Sequence, residues 1–215
     1  MFQIKSFEFS PIQENTYLLY NELNECIIVD PGCYFDDEKQ TLHQFVNDNH
    51  LTPNLLVNTH CHLDHVFGNK FVAETFNLKL HIHPLEQKLL EYAPVSGLTY
   101  NMPFDNYTDD LNFIEAGQVI TLGTDELEVL FTPGHSPGSV SFYCQKQAFV
   151  ISGDVLFQNS IGRTDLPGGD HGTLLTSIRT QLFVLPDETI VYSGHGPATK
   201  VIAERNGNPF FKGAQ

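Results

Sequence analysis

Basic residues are scarce in this chain: 11 lysines and arginines stand against 26 aspartates and glutamates, for a formal net charge of −15. At that balance a polyanion is repelled at long range and no basic run reverses the field, which argues against nucleic acid as the main partner. The acidity reads instead as a well-solvated surface. Long apolar stretches are missing as well. None reaches the roughly 18 residues of a membrane span, so no membrane is expected as a partner. The start, Met1 to Phe9, alternates like a strand and has neither the basic head nor the apolar run of an export signal. Cysteine is sparse and scattered, at Cys26, Cys33, Cys61 and Cys144. The absence of a CxxC pair argues against a zinc knuckle or a redox dithiol, and a reduced, cytoplasmic setting fits best. Nor is there a low-complexity tract, a solenoid-period repeat or a dividing linker. The 215 residues are therefore read as a single domain, 1–215, large enough to bury one substantial core.

What is present is a succession of strand and helix patterns. Apolar runs at Phe2–Phe9, Tyr17–Tyr20 and Cys26–Asp30, separated by turn-rich stretches, predict an antiparallel β start. A helix is expected from Asp36, as N-cap, to about Asp48, with Leu42, Phe45 and Val46 on one face. Leu55–Val57 reads as a buried strand. Val66–Phe76 and Leu85–Tyr92 read as helices, the second starting just after Pro84. The stretch 93–110, with three aromatics and two prolines, reads as a loop or lid. Further strands are expected at about Val119–Thr121, Glu126–Phe131, Ser139–Tyr143, Ala148–Ser152 and Thr189–Tyr192, with a helix near Thr173–Leu185. This order of elements, in two similar halves, implies an α/β sandwich with functional residues on loops at strand ends.

Histidine is where the chain is unusual. His60-Cys61-His62-Leu63-Asp64-His65 puts three imidazoles and a carboxylate into six residues directly after a buried strand. Burying such groups is costly unless something pairs with them, and imidazole nitrogen and carboxylate oxygen suit zinc, iron or manganese. Three more segments place a donor after an apolar run, flanked by glycine or proline: Thr132 to Gly138 around His135, Ser152-Gly153-Asp154, and Ser193-Gly194-His195-Gly196. Each is weak by itself. Together the four supply seven donors: His60, His62, Asp64, His65, His135, Asp154 and His195.

In order and spacing, THCHLDH, TPGHSPGS, SGDVLF and SGHGP resemble the signature motifs of the metallo-β-lactamase superfamily, over the stretch from Asp30 to about Pro209. That resemblance implies an αββα sandwich, with two mixed β-sheets flanked by helices. It also implies two divalent metal ions, zinc first and iron or manganese as alternatives. His60, His62 and His135 would hold one ion and Asp64, His65 and His195 the other. Asp154 would bridge them, and Asp30 would orient a ligand loop. Asp64 and Asp154 would also serve as the catalytic carboxylates, a bridging hydroxide being the nucleophile. Cys61 is expected to pack outward rather than ligate, and His171 to be dispensable for metal binding.

Within the superfamily the sequence is most similar to the short bacterial relatives of glyoxalase II, which hydrolyse hydroxyacylglutathione thioesters; Ser160 to Gly169 carries that likeness. The implied partner is a small-molecule acyl thioester. No C-terminal glutathione-binding helical domain is expected in 1–215. The Gly162-Arg163-Thr164-Asp165 segment is also similar to persulfide dioxygenases, which implies a mononuclear iron oxygenase as the alternative. Arg163 either meets a substrate carboxylate or ties down its own loop; the sequence leaves both open.

Overall fold

A computed structural model describes residues 1–211, which divide into two compact units. The first comprises residues 1–114 and 121–125. It carries a six-stranded sheet in simple order: β1 (Gln3–Phe9), β2 (Glu14–Tyr20), β3 (Glu25–Val29), β4 (Thr52–Val57), β5 (Leu80–Ile82) and β6 (Asn112–Phe113). The first three strands pair antiparallel, as expected, with Phe7 opposite Thr16 and Leu18 opposite Ile28. From β3 onward the pairing is parallel. Parallel neighbours need crossover connections, and these are α1 (Asp36–Asp48), then α2 (Leu63–Val66) with α3 (Asn69–Phe76), then α4 (Gln87–Thr99). Leu42, Val46, Val72, Ala73, Leu90 and Ala93 from the helices meet Leu18, Ile28, Leu56 and Ile82 from the strands in one buried cluster. β2 is buried along nearly its whole length, so both of its faces are covered.

In this unit three helices depart from expectation, each for a tertiary or side-chain reason. Asp36 is the first helical residue of α1 and Phe35 the N-cap. The Glu38 carboxylate, one turn in, reaches back to accept the N–H groups of Tyr34 and Phe35 at 2.8 and 3.0 Å and of Ser10 at 2.7 Å. It thereby satisfies main-chain donors just ahead of the helix, and Asp36 is left inside the first turn. The expected Val66–Phe76 helix is split, because Gly68 donates its N–H to the Pro31 carbonyl at 2.7 Å instead of continuing the helix. α4 runs on to Thr99, through Pro94, where a loop was expected from residue 93. A proline removes the donor for the carbonyl four residues back. Asn106 supplies it, donating Nδ2 to Leu90 O at 2.8 Å.

The second unit comprises residues 115–120 and the chain from 126. Its strands are β7 (Val119–Leu122), β8 (Asp125–Phe131), β9 (Val140–Cys144), β10 (Phe149–Gly153), β13 (Ile190–Ser193) and β14 (Thr199–Lys200), in the order β14-β13-β10-β9-β8-β7; the β7–β8 turn is counted with the first unit. β10 and β13 are parallel, while β8–β9, β9–β10 and β13–β14 are antiparallel. Between β10 and β13 lie a hairpin, β11 (Leu156–Phe157) with β12 (Ser160–Ile161), and the helix α5 (His171–Ser177). Asp170 caps α5 by accepting Thr173 N–H at 2.7 Å, and the chain continues as a π-helical turn over Ile178–Leu182. The expected single helix to Leu185 is thus two elements. Leu174, Ile178, Leu182 and, from α6 (Val201–Gly207), Val201 pack on Val150 and Val191 of the sheet. Two large mixed sheets with flanking helices are the α/β architecture expected. Among the described residues no helix is long and apolar enough to cross a membrane.

Candidate functional site

In the first unit the donors sit where the sheet ends. Residues 58–62 lead out of the end of β4 without regular secondary structure, and Asp64 and His65 follow in the short α2, whose N-cap is His62. His60 and His65 are buried, with ring centroids 4.1 Å apart, and His62 lies 4.9 Å from His60. Behind them is Asp30, the residue after β3, buried and held at a left-handed φ of 48°. Its carboxylate accepts Thr59 N–H at 2.7 Å, Thr59 Oγ1–H at 2.6 Å and Asn58 Nδ2 at 3.2 Å, and it lies 3.0 Å from His65 Nδ1.

These contacts fix protons. A carboxylate can only accept, so His65 carries its proton on Nδ1 and offers the Nε2 lone pair. Thr59 Oγ1 gives its own hydrogen to Asp30, so it accepts from His60 Nδ1, 3.1 Å away, and His60 likewise offers Nε2. One buried aspartate thus selects the tautomer of two histidines, directly and through a threonine, which is how metal-binding imidazoles are oriented. Glu14 lies on the same side of His65, with Oε1 3.9 Å from Nδ1, and burial pushes its carboxyl well above the usual range. On the other side of the ring, Asp64 Oδ2 is 3.9 Å from His65 Nε2.

In the second unit His135 lies in the loop after β8, Asp154 directly follows β10 and His195 follows β13. The Asp154 Oδ2 oxygen is 3.5 Å from His135 Nε2 and 3.6 Å from His195 Nε2. That is long for a charge-assisted hydrogen bond. It fits donors around an ion: two atoms each about 2.1 Å from a tetrahedral metal stand roughly 3.4 Å apart. His135 Nδ1 donates to the main-chain carbonyl of Arg163 at 2.7 Å, so this imidazole too offers Nε2. Two glycines make the approach possible. A Cβ at Gly162 would lie 1.9 Å from Asp154 O, and one at Gly134, where φ is 129°, would lie 2.2 Å from Leu174 N. The donor chemistry in both units therefore suits divalent metal.

A family model described as the metallo-beta-lactamase superfamily matches residues 10–195. The chain belongs to the metallo-β-lactamase superfamily. It is 43% identical to the probable metallo-hydrolase YqgX of Bacillus subtilis, over 94% of each chain. It is 34% identical to hydroxyacylglutathione hydrolase GloC of Haemophilus influenzae, over 96% of this chain and 97% of that one. The solved structure of the BLEG-1 B3 metallo-beta-lactamase is 42% identical and covers 98% of this chain and 100% of its own, with a TM-score of 0.90. At the level these proteins share, the chain is a metallo-hydrolase. Their names differ in substrate, so similarity alone does not select one.

Other residues singled out in this superfamily member fall as follows. Cys61 points into the apolar cluster of the first unit; burial pushes its thiol well above the ordinary value, while its N–H donates to the buried Glu86 carboxylate at 2.7 Å. The Arg163 guanidinium makes two bonds to Asp165, at 2.7 and 2.8 Å, and these lower the Asp165 carboxyl to about 2. Of the two openings left by the sequence, the loop tie is thus the contact formed. His171 starts α5, exposed and 6.4 Å from the Phe210 ring. Glu14, Asn58, Thr59 and Glu86 were not picked out from the sequence. Their only signal there is a polar residue bordering an apolar run, which most turn residues share.

Proposed function

We propose that His60, His62, Asp64, His65, His135, Asp154 and His195 serve one binuclear zinc centre, in a single domain over 1–215, and that it hydrolyses a small acyl thioester. The observation that carries this is the fixing of Nδ1 on three histidines, by Asp30, Thr59 and Arg163 O, which turns each Nε2 into a donor. Asp154 Oδ2, about equally far from His135 and His195, supports a bridging carboxylate. His60, His62 and His135 would hold one ion, and Asp64, His65 and His195 the other, the partition that the superfamily motif order implies. When bound, two divalent ions supply a hydroxide at neutral pH and an electrophile for the thioester carbonyl oxygen. Asp64 and Asp154 would offset only part of the metal charge, and the positive remainder would draw in an acyl substrate with an anionic group despite the acidic surface. Asp30 and Thr59 keep the imidazoles in the binding tautomer throughout. A substrate carboxylate reaching Arg163 would have to compete with Asp165. The likeness to hydroxyacylglutathione hydrolase GloC supports the thioester, and four buried cysteines outside any disulfide fit a reducing, cytoplasmic setting.

The test combines metal analysis with three assays on zinc-loaded and iron-loaded protein: lactoylglutathione hydrolysis, opening of a chromogenic cephalosporin, and oxygen uptake with glutathione persulfide. About two zinc per chain and thioester hydrolysis are expected. Cephalosporin opening or persulfide-dependent oxygen uptake, without thioester hydrolysis in any metal form, overturns the proposal. Asp154→Ala is expected to lose both metals and all activity, whereas His171→Ala keeps both. His65→Ala and His195→Ala should retain about one ion, while His60→Ala and His135→Ala damage the other site; equal metal loss in all four variants would remove support for the partition.

A further inference from the structure

Asn58 lies between the last residue of β4 and Thr59, and it is fully buried. Its side-chain amide is used at both ends. Nδ2 donates to Asp30 Oδ1 at 3.2 Å and to the main-chain carbonyl of His65 at 2.8 Å, while Oδ1 accepts Asn69 Nδ2 at 2.8 Å. The backbone N–H is held too, by His81 O at 3.0 Å. This pattern admits one orientation of the amide. Flipping it would set an oxygen against the Asp30 carboxylate and the His65 carbonyl, with no hydrogen between them.

The consequence concerns His65. Its imidazole is oriented by Asp30 and its main chain by Asn58, and Asp30 itself is held by the same Asn58 amide. Ring and backbone of one residue are therefore referenced to a single side chain, whose hydrogen bonds go to Asp30, the His65 carbonyl and Asn69. We infer that Asn58 is a positioning residue for His65 and sets how tightly the ion held by His65, Asp64 and His195 is bound. The inference rests on the reading of His65 as a metal ligand. Groups behind metal ligands typically change affinity by about 10–100-fold when altered.

Asn58→Asp tests it with almost no change of volume, by placing a carboxylate against Asp30. Asn69→Ala is the second variant; it frees Asn58 Oδ1 while leaving Asp30 and His65 untouched. Two readouts are needed: stepwise zinc affinities from competition with a chromophoric chelator, and melting temperatures with and without zinc. Asn58→Asp is expected to bind one zinc like wild type and the second at least about tenfold more weakly. Asn69→Ala should show the same pattern to a smaller degree. In both, the zinc-induced rise in melting temperature should shrink, because stabilisation by a ligand follows its affinity. A merely structural role would lower the zinc-free and zinc-loaded melting temperatures together and leave the rise unchanged, and that result overturns the inference. If Asn58→Asp does not fold, Asn69→Ala decides by the same criteria. Two tight zinc ions in wild type and in both variants overturn the role of Asn58 alone. A wild-type protein that takes up no zinc overturns the metal-centre reading and this inference with it.

Discussion

In the first unit the imidazoles of His60 and His65 are oriented by side chains, Thr59 and Asp30, inside a buried polar network that reaches Asn58 and Asn69. In the second unit His135 is oriented by a main-chain carbonyl, that of Arg163, brought close by a turn that only glycine fits. Both devices fix the same proton on Nδ1, yet they expose the protein to different kinds of damage. A side-chain network fails when a partner is deleted. A backbone contact survives most side-chain changes and fails when the chain cannot approach.

The largest effect is expected from Asp30→Ala. It strips the acceptor from Thr59, Asn58 and His65 within the interior and leaves buried donors, so about 3–5 kcal/mol of stability should be lost along with zinc affinity. Urea unfolding of the metal-free protein measures the first and chelator competition the second. A stable variant with wild-type affinity would show that the network is not what orients these rings. Next comes Gly162→Ala. Its methyl group would overlap Asp154 O, a backbone atom that cannot swing aside, and metal affinity should fall by about 10–100-fold. Gly117→Ala is the control within the same unit, because nothing lies within 4 Å of its Cβ and only its φ of 77° is unfavourable. About 1–2 kcal/mol of stability should go, with zinc binding intact. Equal effects of the two substitutions on zinc would break the comparison.

A smaller change is expected away from the donors. Asn106→Ala leaves Leu90 O without its donor beside Pro94 and should cost about 1–3 kcal/mol in urea unfolding, with metal content unchanged. Combining it with Pro94→Ala restores a helical N–H and should recover most of the loss; no recovery would sever the proposed link. The smallest effect concerns the thiols. Burial pushes Cys26 and Cys33 up to about 12, so at pH 8 only about one in ten thousand is thiolate, against an unfolded thiol with a pKa near 8.5. Iodoacetamide at pH 8 should leave both unlabelled until denaturant is added. Rapid labelling of the native protein would mean that this core opens locally.

Much of the architecture was legible because it depends on local pattern. Alternating apolar residues marked β1 and β8, continuous apolar runs marked β3, β9 and β10, and the donors at His60, His62, Asp64 and His65 announced themselves by density. Short elements were not legible. β5, β6 and the β11–β12 hairpin span two or three residues each, too few to show a period, and they exist because a neighbouring strand or hairpin partner supplies their hydrogen bonds. The stretch from residue 93 reads as a loop in sequence because the donor that compensates for Pro94, Asn106, is 16 residues from Leu90.

The sequence by itself determined which atoms are available: imidazole nitrogens and carboxylates, spaced after apolar runs so that they fall at strand ends. It also determined the family, since motif order and spacing are one-dimensional properties. Tertiary structure decided what those atoms can do. The tautomer of His65 depends on Asp30, 35 positions away, and that of His135 on a carbonyl 28 positions away. A proton's place on a ring is set by whichever acceptor folding brings within 3 Å, and spacing along the chain carries no record of that acceptor.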